Sequence, residues 1–451
     1  MVAGAAWGET AYYRTIASFG AGAAAGQKPY AGLVSGMDGA LYGTTLGGGT
    51  NGAGTVFKVN KDGSGYATLH SFLTNGVDGK SPGALLQGSD GALYGMTSIG
   101  GTNNNAGTVY KLKPDGSGYQ LLHVFGSGAD GQNPSAGLIE GRDGGLYGTA
   151  FFGGSNIVGT VFRLNKDGSG YRALYAFGQS ASDGANPDTS LAQGADSLLY
   201  GTTYFGGTND AGTVFKINTN GGGYGVLRMF SKSGGDGQNP DAALRQASNG
   251  ALYGTTYGGG ASNVGTIFTI GTNGGGYIIL HSFMSFASDA QRPFGALLEG
   301  RDGVLYGTTY SGGSNSAGAI FKLTQAGASY SVWRSFMSSG GDGQNPRGGL
   351  VPGSDGAFYG TAWNGGQAGA GTVFQIYPPE TPTMLGVGVA GETAQVRFRG
   401  VSGYQYQVVR STNLANWGVV GTITMPASGV GTNTDVAAPA GRAFYRAAWV
   451  Q

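Results

Sequence analysis

The phrase Leu-Tyr-Gly-Thr-Thr, with small variations, recurs along the chain with its tyrosine at Tyr42, Tyr94, Tyr147, Tyr200, Tyr253, Tyr306 and Tyr359. Successive tyrosines are 52 residues apart once and 53 apart five times. A constant period near fifty marks one supersecondary unit copied in tandem. Residues common to every copy are expected to hold the fold. Residues that break the copying are where a function is sought.

Within a copy, short runs of strand formers alternate with turn residues. In residues 80 to 125 the runs are Ala84-Leu85-Leu86, Leu93 to Thr97, Gly107 to Lys111, and Tyr119 to Phe125. Ser89-Asp90-Gly91 and Pro114-Asp115-Gly116 lie between them, and Asp-Gly supplies the positive φ that hairpin turns require. One unit therefore reads as a four-stranded antiparallel meander, strands a to d. No stretch has a helical period. Such a sheet has two edges and two faces to cover, and radial repetition covers both, giving a β-propeller.

Strand d ends in phenylalanine seven times, at Phe19, Phe72, Phe125, Phe177, Phe230, Phe283 and Phe336. The first of these strands precedes any a, b or c strand, and the last unit stops after Gly371-Thr372-Val373-Phe374 without a strand d. The expected fold is a seven-bladed β-propeller over 1–377, its ring closed by the N-terminal strand. Pro378-Pro379-Glu380-Thr381-Pro382 reads as a stiff linker over 378–382. Residues 383–451 alternate in another rhythm, as in Gln395-Val396-Arg397-Phe398, and suit a small β-sandwich.

Of 451 residues 94 are glycine, without a Gly-X-Y period, so this is not a collagen. Hydrophobic residues make up 40%, enough for a core. Net charge is +1 with no basic block, which argues against nucleic acid. There is no cysteine, hence no disulfide and no thiolate metal site. No metal or cofactor is expected. No apolar run approaches a membrane span. The start, Met1 to Thr10, lacks the charged region and apolar core of a signal peptide. A monomer is expected.

Tyr-Gly-Thr-Thr-x-x-Gly-Gly followed by Gly-Thr-Val-Phe resembles the GloVer tandem repeat of exported bacterial proteins, over roughly residues 12 to 377. Gly318-Ala319-Ile320-Phe321 departs slightly from it. The tail, with Tyr406-Gln407-Val408, Ser411 to Trp417 and Phe444-Tyr445-Arg446, resembles a fibronectin-III-like module. The resemblance implies a secreted, periplasmic or cell-surface protein and assigns no catalytic residues.

The a–b and c–d turns are short and uniform, whereas the d–a and b–c loops are long, so function is placed on the d–a/b–c face. The residue after each Leu-Tyr-Gly-Thr-Thr is Leu46, Ser98, Phe151, Tyr204, Tyr257, Tyr310 and Trp363, with Phe152 and Phe205 beside two of them. Such rings suit the apolar faces of sugars. The alternative is that they wedge between blades as packing. The residue after each loop proline varies more: Tyr30, Gly83, Ser135, Asp188, Asp241, Phe294 and Arg347. Asp188 and Asp241 fall at equivalent sites of neighbouring blades. They are a candidate acid/base or acid/nucleophile pair, for which carboxyls about 5–5.5 Å apart suit retention and about 6.5–9.5 Å inversion. The alternative is that both are turn acids capping amides. Arg347 and Tyr30 are candidates to orient a uronate or sulfated sugar, or to serve a lyase.

The remaining candidates read as structural. His70, His123 and His281 share one repeat position with Ala17, Tyr175, Arg228 and Arg334, too far apart for one metal centre. Asp78, Asp130, Asp183, Asp236, Asp289 and Asp342 recur as turn caps. The leading expectation is polysaccharide recognition at the loop-rich mouth. The competing expectation is a glycoside hydrolase or uronate lyase in the same cleft, and the third is a structural envelope or matrix protein.

Overall fold

The computed structural model describes residues 12–20, 22, 25–286, 288–377, 383–400, 405–413, 416–426, 430–439 and 443–449. The start at Met1 to Thr10, the stiff stretch at Pro378 to Pro382, and Leu414-Ala415 of the tail motif lie outside them. Every regular element among the described residues is a β-strand, and the paired strands of the main sheets are antiparallel. The chain divides into two compact units. One comprises Tyr13–Pro352 with Tyr359–Gln375, and the other carries the C-terminal strands.

The repeat unit builds seven sheets among the described residues. The third is typical: Ile139–Glu140, Leu146–Ala150, Thr160–Leu164 and Arg172–Ala176, hydrogen-bonded in that order. Part of the expected d–a loop is itself paired. Gly131–Gln132 pairs with Phe152–Gly153 as a two-stranded extension, and the main sheet resumes only at Ile139. The interruption is local chemistry. Asn133 sits in the left-handed region at φ 54° and Pro134 offers no donor, so the ladder cannot run through them. Strands c and d slip register at the same place in six sheets, for instance between Val161 and Phe162, a bulge that deepens the twist.

The seventh sheet is completed from the far end of the chain. Its order is Tyr12–Ser18, Thr372–Tyr377, Phe358–Ala362, Val351–Pro352. Successive sheets are joined by one repeated hydrogen bond. The residue before each loop proline donates its N–H to a b–c loop carbonyl of the preceding sheet: Ser81 to Ala53, Asn133 to Ala106, Asn186 to Val158, Asn239 to Ala211, Arg292 to Val264 and Asn345 to Ala317. A seventh equivalent bond runs from Lys28 to Ala370, and Thr361 Oγ1 donates to the Ala31 carbonyl.

The core lies between sheets. One cluster packs Tyr94, Met96, Val109 and Phe125 of the second repeat against Leu138, Leu146, Phe162 and Leu164 of the third. Comparable clusters join the first to second, third to fourth, fourth to fifth and fifth to sixth. Burying each such side chain contributes about 1.5–3 kcal/mol, so the interfaces carry most of the stability. The repeated Tyr-Gly fits this packing. A Cβ on Gly148 would stand 2.6 Å from Phe162 Cζ, because the strand c ring lies across that glycine. Tyr147 meanwhile donates to Asp143 of the a–b turn at 2.7 Å.

The loop aspartates tie the junctions. Asp78 accepts from the amides of Leu73 and Gly79, from His70 at 3.2 Å and from the Tyr119 hydroxyl of the next strand d segment. The His70 ring stacks on Tyr119 at 3.8 Å. His123 on Tyr171, Tyr175 on Tyr224, Arg228 on Tyr277, His281 on Tyr330 and Arg334 on Tyr13 repeat the arrangement. Each histidine is thus one half of a stacked pair.

The C-terminal unit has two three-stranded antiparallel sheets. One joins Thr383–Ala390, Thr393–Arg399 and Val430–Asp435, and the other joins Gly418–Thr424, Gln405–Ser411 and Phe444–Trp449. Val396 and Phe398 from one sheet and Tyr406 and Val408 from the other share a buried core with Met425. Arg410 pairs with the buried Asp435 at 2.7 Å, and Tyr445 donates to the same carboxylate at 2.8 Å.

Candidate functional site

The loop that delivers Asp188 is fixed before the aspartate is reached. Asn186 has φ 56°, its N–H bonds to Val158 O at 2.6 Å, and its side-chain amide donates to Phe151 O at 3.0 Å. Pro187 then lies on Gly159, whose φ is +106° and where an added Cβ would meet Pro187 Cδ at 2.5 Å. The next repeat copies this for Asp241. Asn239 has φ 53° and donates to Ala211 O and Tyr204 O, and Pro240 lies on Gly212. Only an αL-tolerant residue before the proline and a glycine beneath it permit the approach. With Asn doing the turn's hydrogen bonding, the aspartate that follows is released from capping duty.

Both aspartates line one cavity of about 420 Å³. Its wall takes residues from all seven repeats, and six of the seven contribute the residue after the loop proline: Tyr30, Ser135, Asp188, Asp241, Phe294 and Arg347. In the second repeat Ala84 lines the wall in place of Gly83. The four residues singled out as catalytic candidates in the sequence, Tyr30, Asp188, Asp241 and Arg347, therefore share one space.

Their electrostatics are unlike those of the loop aspartates. Burial raises the Asp188 carboxyl to about 6, against a hydrogen bond from the Ser135 hydroxyl that lowers it. Burial raises Asp241 well above the ordinary carboxylate range, the Asp188 charge adds to the rise, and Arg347 opposes it. Both side chains are half-buried by surface area because they line the cavity, yet they sit deep enough for desolvation to dominate. Among the described residues neither caps a backbone amide. Ser135 is the donor to Asp188, and no donor among the described residues reaches Asp241. Tyr30 is pushed up to about 12 by burial and by Asp241 and Asp188, with Arg347 pulling the other way.

Arg347 is held by rings. Its guanidinium lies 5.2 Å from the Tyr30 ring centre, 4.8 Å from Phe294, 4.7 Å from Tyr310 and 4.8 Å from Trp363. Its Nε is buried without an acceptor. Four rings at this range hold a cation with about 0.5–2 kcal/mol apiece at most.

The aromatic series divides. Tyr310 and Trp363 reach the cavity through Arg347, and Trp363 also meets Tyr30 edge-on at 5.8 Å. Tyr257 packs against the lining Phe294 at 5.1 Å, and the Tyr204 hydroxyl is raised by burial, then by Asp241, Tyr257 and Asp188. All four are half-buried, not sealed between sheets. Phe205, exposed, packs edge-on against Tyr204. Phe151 and Phe152 pack on each other at 4.7 Å, away from the cavity wall, with Phe152 41% exposed. Ser135 and Phe294 join the site though the sequence argument passed over them. Their signal was present, since both hold the same post-proline position as Asp188.

The family model for the Gloeobacter/Verrucomicrobia repeat matches residues 7–192, 73–244 and 196–420. No curated protein matches the chain in sequence. Solved structures similar to it include a putative 6-phosphogluconolactonase from Bacteroides fragilis, 13% identical, covering 89% of this chain and 98% of that one at a TM-score of 0.47. A putative 6-phosphogluconolactonase from Bacteroides uniformis is 16% identical over 66% and 82%, at 0.44. PorZ, a surface component of the type-IX secretion system of Porphyromonas gingivalis, is 11% identical over 90% and 64%, at 0.42.

Proposed function

The chain belongs to the Gloeobacter/Verrucomicrobia repeat family, and we propose that it is an exported polysaccharide-recognition protein. In this reading its seven sheets close into a seven-bladed propeller over 1–377, followed by a β-sandwich module over 383–451. Closure is supported by the seven equivalent inter-sheet hydrogen bonds, the last from Lys28 to Ala370. The cavity then lies on the axis, and the sugar chain enters it from the d–a/b–c face. The family resemblance supports export.

One observation carries the recognition reading. Asp188, Asp241, Arg347 and Tyr30 line a single cavity, while Tyr204, Tyr257, Tyr310 and Trp363 stand half-exposed against its lining. Ring faces suit the C–H faces of a pyranose, and the polar groups below suit its hydroxyls. The test is retention of the protein by immobilised plant, algal and bacterial polysaccharides in native gels. Trp363→Ala is expected to weaken retention about tenfold or more, since a buried aromatic contact is worth well over 1.4 kcal/mol. Retention that survives both Trp363→Ala and Tyr204→Ala sinks the proposal.

A second reading, a glycoside hydrolase, draws support from the carboxyl pair. Two carboxyls in one cavity, with the Asp188 charge adding to the rise of Asp241, let Asp241 stay protonated as the acid while its neighbour ionises. Sugar release by wild type, lost in Asp188→Asn and Asp241→Asn with retention intact, would move the assignment to catalysis. The lyase variant is weaker, because a phenol pushed up to about 12 is a poor base at neutral pH.

A further inference from the structure

The cavity is lined by two acids and two arginines, yet they are not matched to each other. Among the described residues Arg347 makes no ion pair with either aspartate, its charge faces four rings, and its Nε has no acceptor. Asp188 has the Ser135 hydroxyl, and Asp241 has no donor among the described residues. Arg245 also lines the cavity but is exposed. Elsewhere the molecule satisfies buried aspartates fully. Asp236 has two amides, Arg228 at 2.6 Å and the Tyr277 hydroxyl at 2.5 Å. A buried carboxyl without a donor is costly, and a site that leaves one in a cavity wall is short of a partner.

From these contacts we infer that the sugar received by the cavity carries a free primary ammonium. The ligand class is an unacetylated or partly deacetylated amino-sugar polymer, with its cation seated between Asp188 and Asp241. This rests on the recognition reading and narrows it. An ammonium has three donors in a compact head and fits a space bounded by two carboxylates and Ser135. A uronate would bring a third carboxylate to the two already present, and Arg347 beside them is turned toward Tyr30, Phe294, Tyr310 and Trp363. An N-acetyl group would replace three charged donors by one neutral N–H. The titratable groups facing the pair are Tyr30, Tyr204, Arg347 and Arg245, and burial raises both phenols. Ammonium binding therefore competes with the protons that burial places on the aspartates, and the affinity follows their ionisation.

The test is calorimetric titration with four oligosaccharides of equal length: a free-amine hexosamine oligomer, its N-acetylated form, a neutral glucan and a galacturonate. Wild type is expected to bind the free-amine oligomer at least about tenfold more tightly than the other three, the usual worth of a charged hydrogen bond. That preference is expected to shrink to less than about threefold in Asp241→Asn and to fall as pH is lowered from about 7 to about 5. Trp363→Ala is expected to weaken all bound oligomers alike. Tighter or equal binding of the acetylated, neutral or acidic oligomer overturns the ammonium assignment and leaves recognition standing. Binding of none of the four, together with no retention on any polysaccharide, overturns both. A free-amine preference that persists in both Asp241→Asn and Asp188→Asn also overturns it.

Discussion

Asp78 and Asp241 lie in consecutive stretches of the same kind of loop, one before the loop proline and one after it, and the protein treats them in opposite ways. Asp78 is buried, which alone would raise its carboxyl. His70, Tyr119 and the Leu73 amide more than offset that and hold it below the ordinary range. Asp130 and Asp289 behave alike, burial being outweighed by His123 and by His281. Asp241 is also buried, but its neighbours are a second carboxyl and an arginine occupied elsewhere, so burial wins and its carboxyl rises. Asp78, Asp130 and Asp289 are ionised parts of the scaffold. The cavity aspartates are held at a cost to folding, as expected of groups kept for a ligand.

Substitution should separate the two regions by sign. Asp78→Ala strands two amides, a tyrosine hydroxyl and an imidazole at once, and is expected to cost about 3 kcal/mol in thermal or urea unfolding. Asp241→Asn removes the ionising group from a desolvated position and is expected to leave stability unchanged or higher at pH 7. If both variants lose comparable stability, the two regions are not different in kind.

The pH dependence is the next largest effect. Asp188 has a folded-state carboxyl at about 6 against an ordinary 3.8, so the native state binds more protons than the unfolded chain between these values. Stability from this group is full below about pH 4 and is lost as pH rises through about 6. The loss amounts to up to about 3 kcal/mol at the 1.36 kcal/mol per unit of linkage. Asp78, Asp130 and Asp289 act in the reverse direction. Their carboxyls are lowered, so their contribution is present near neutrality and is lost as pH falls below the ordinary carboxylate range. Stability measured from pH 3 to pH 8 should therefore rise and then sag in wild type, and Asp188→Asn should shrink the sag while keeping the acid limb, the remainder coming from Asp241, whose carboxyl is raised in the same direction. A wild-type curve with no decline between pH 4 and pH 7 contradicts the burial assigned to Asp188.

How much of this was readable in the chain follows from what repeats. The phase of Leu-Tyr-Gly-Thr-Thr and the early strand ending at Phe19 were enough to place Tyr12–Ser18 beside Thr372–Tyr377. The varied post-proline residues picked out the cavity wall because identical loops bring equivalent positions to one place. Three things were not readable. Strand a was expected only after the loop proline, so the short pairing ahead of it, Gly131–Gln132 with Phe152–Gly153, was missed, because two residues before an αL asparagine and a proline leave no periodic trace. The rings were ranked by position alone, which grouped Phe151 and Phe152 with Trp363, although only the packing of Phe294, Arg347 and Tyr30 decides which rings meet the cavity. The histidines looked dispersed because each stacks on a tyrosine one repeat further along, a pairing between residues 49 apart for His70 and Tyr119.

The smallest expected effect lies at the one junction that lacks the aspartate. Ala25 stands where the other loops carry Asp, and Ala17 stands where they carry His, Tyr or Arg. Tyr66, the counterpart of Tyr119, keeps its ring against Phe57 at 5.9 Å and Phe19 at 6.0 Å and is 37% exposed. Both partners of the tyrosine are missing together, as expected if the carboxylate and the stacking group are useful only as a set. The double change Ala17→His with Ala25→Asp should rebuild the set at the place where the N-terminal strand meets the first repeat and raise stability by about 1 kcal/mol, one net charge-assisted hydrogen bond. Ala25→Asp alone should gain less, since its carboxylate would have the hydroxyl but no imidazole. Additive single effects, measured by urea unfolding of all four forms, would show that the pair is not a unit and that the six native junctions owe their stability to the backbone caps alone.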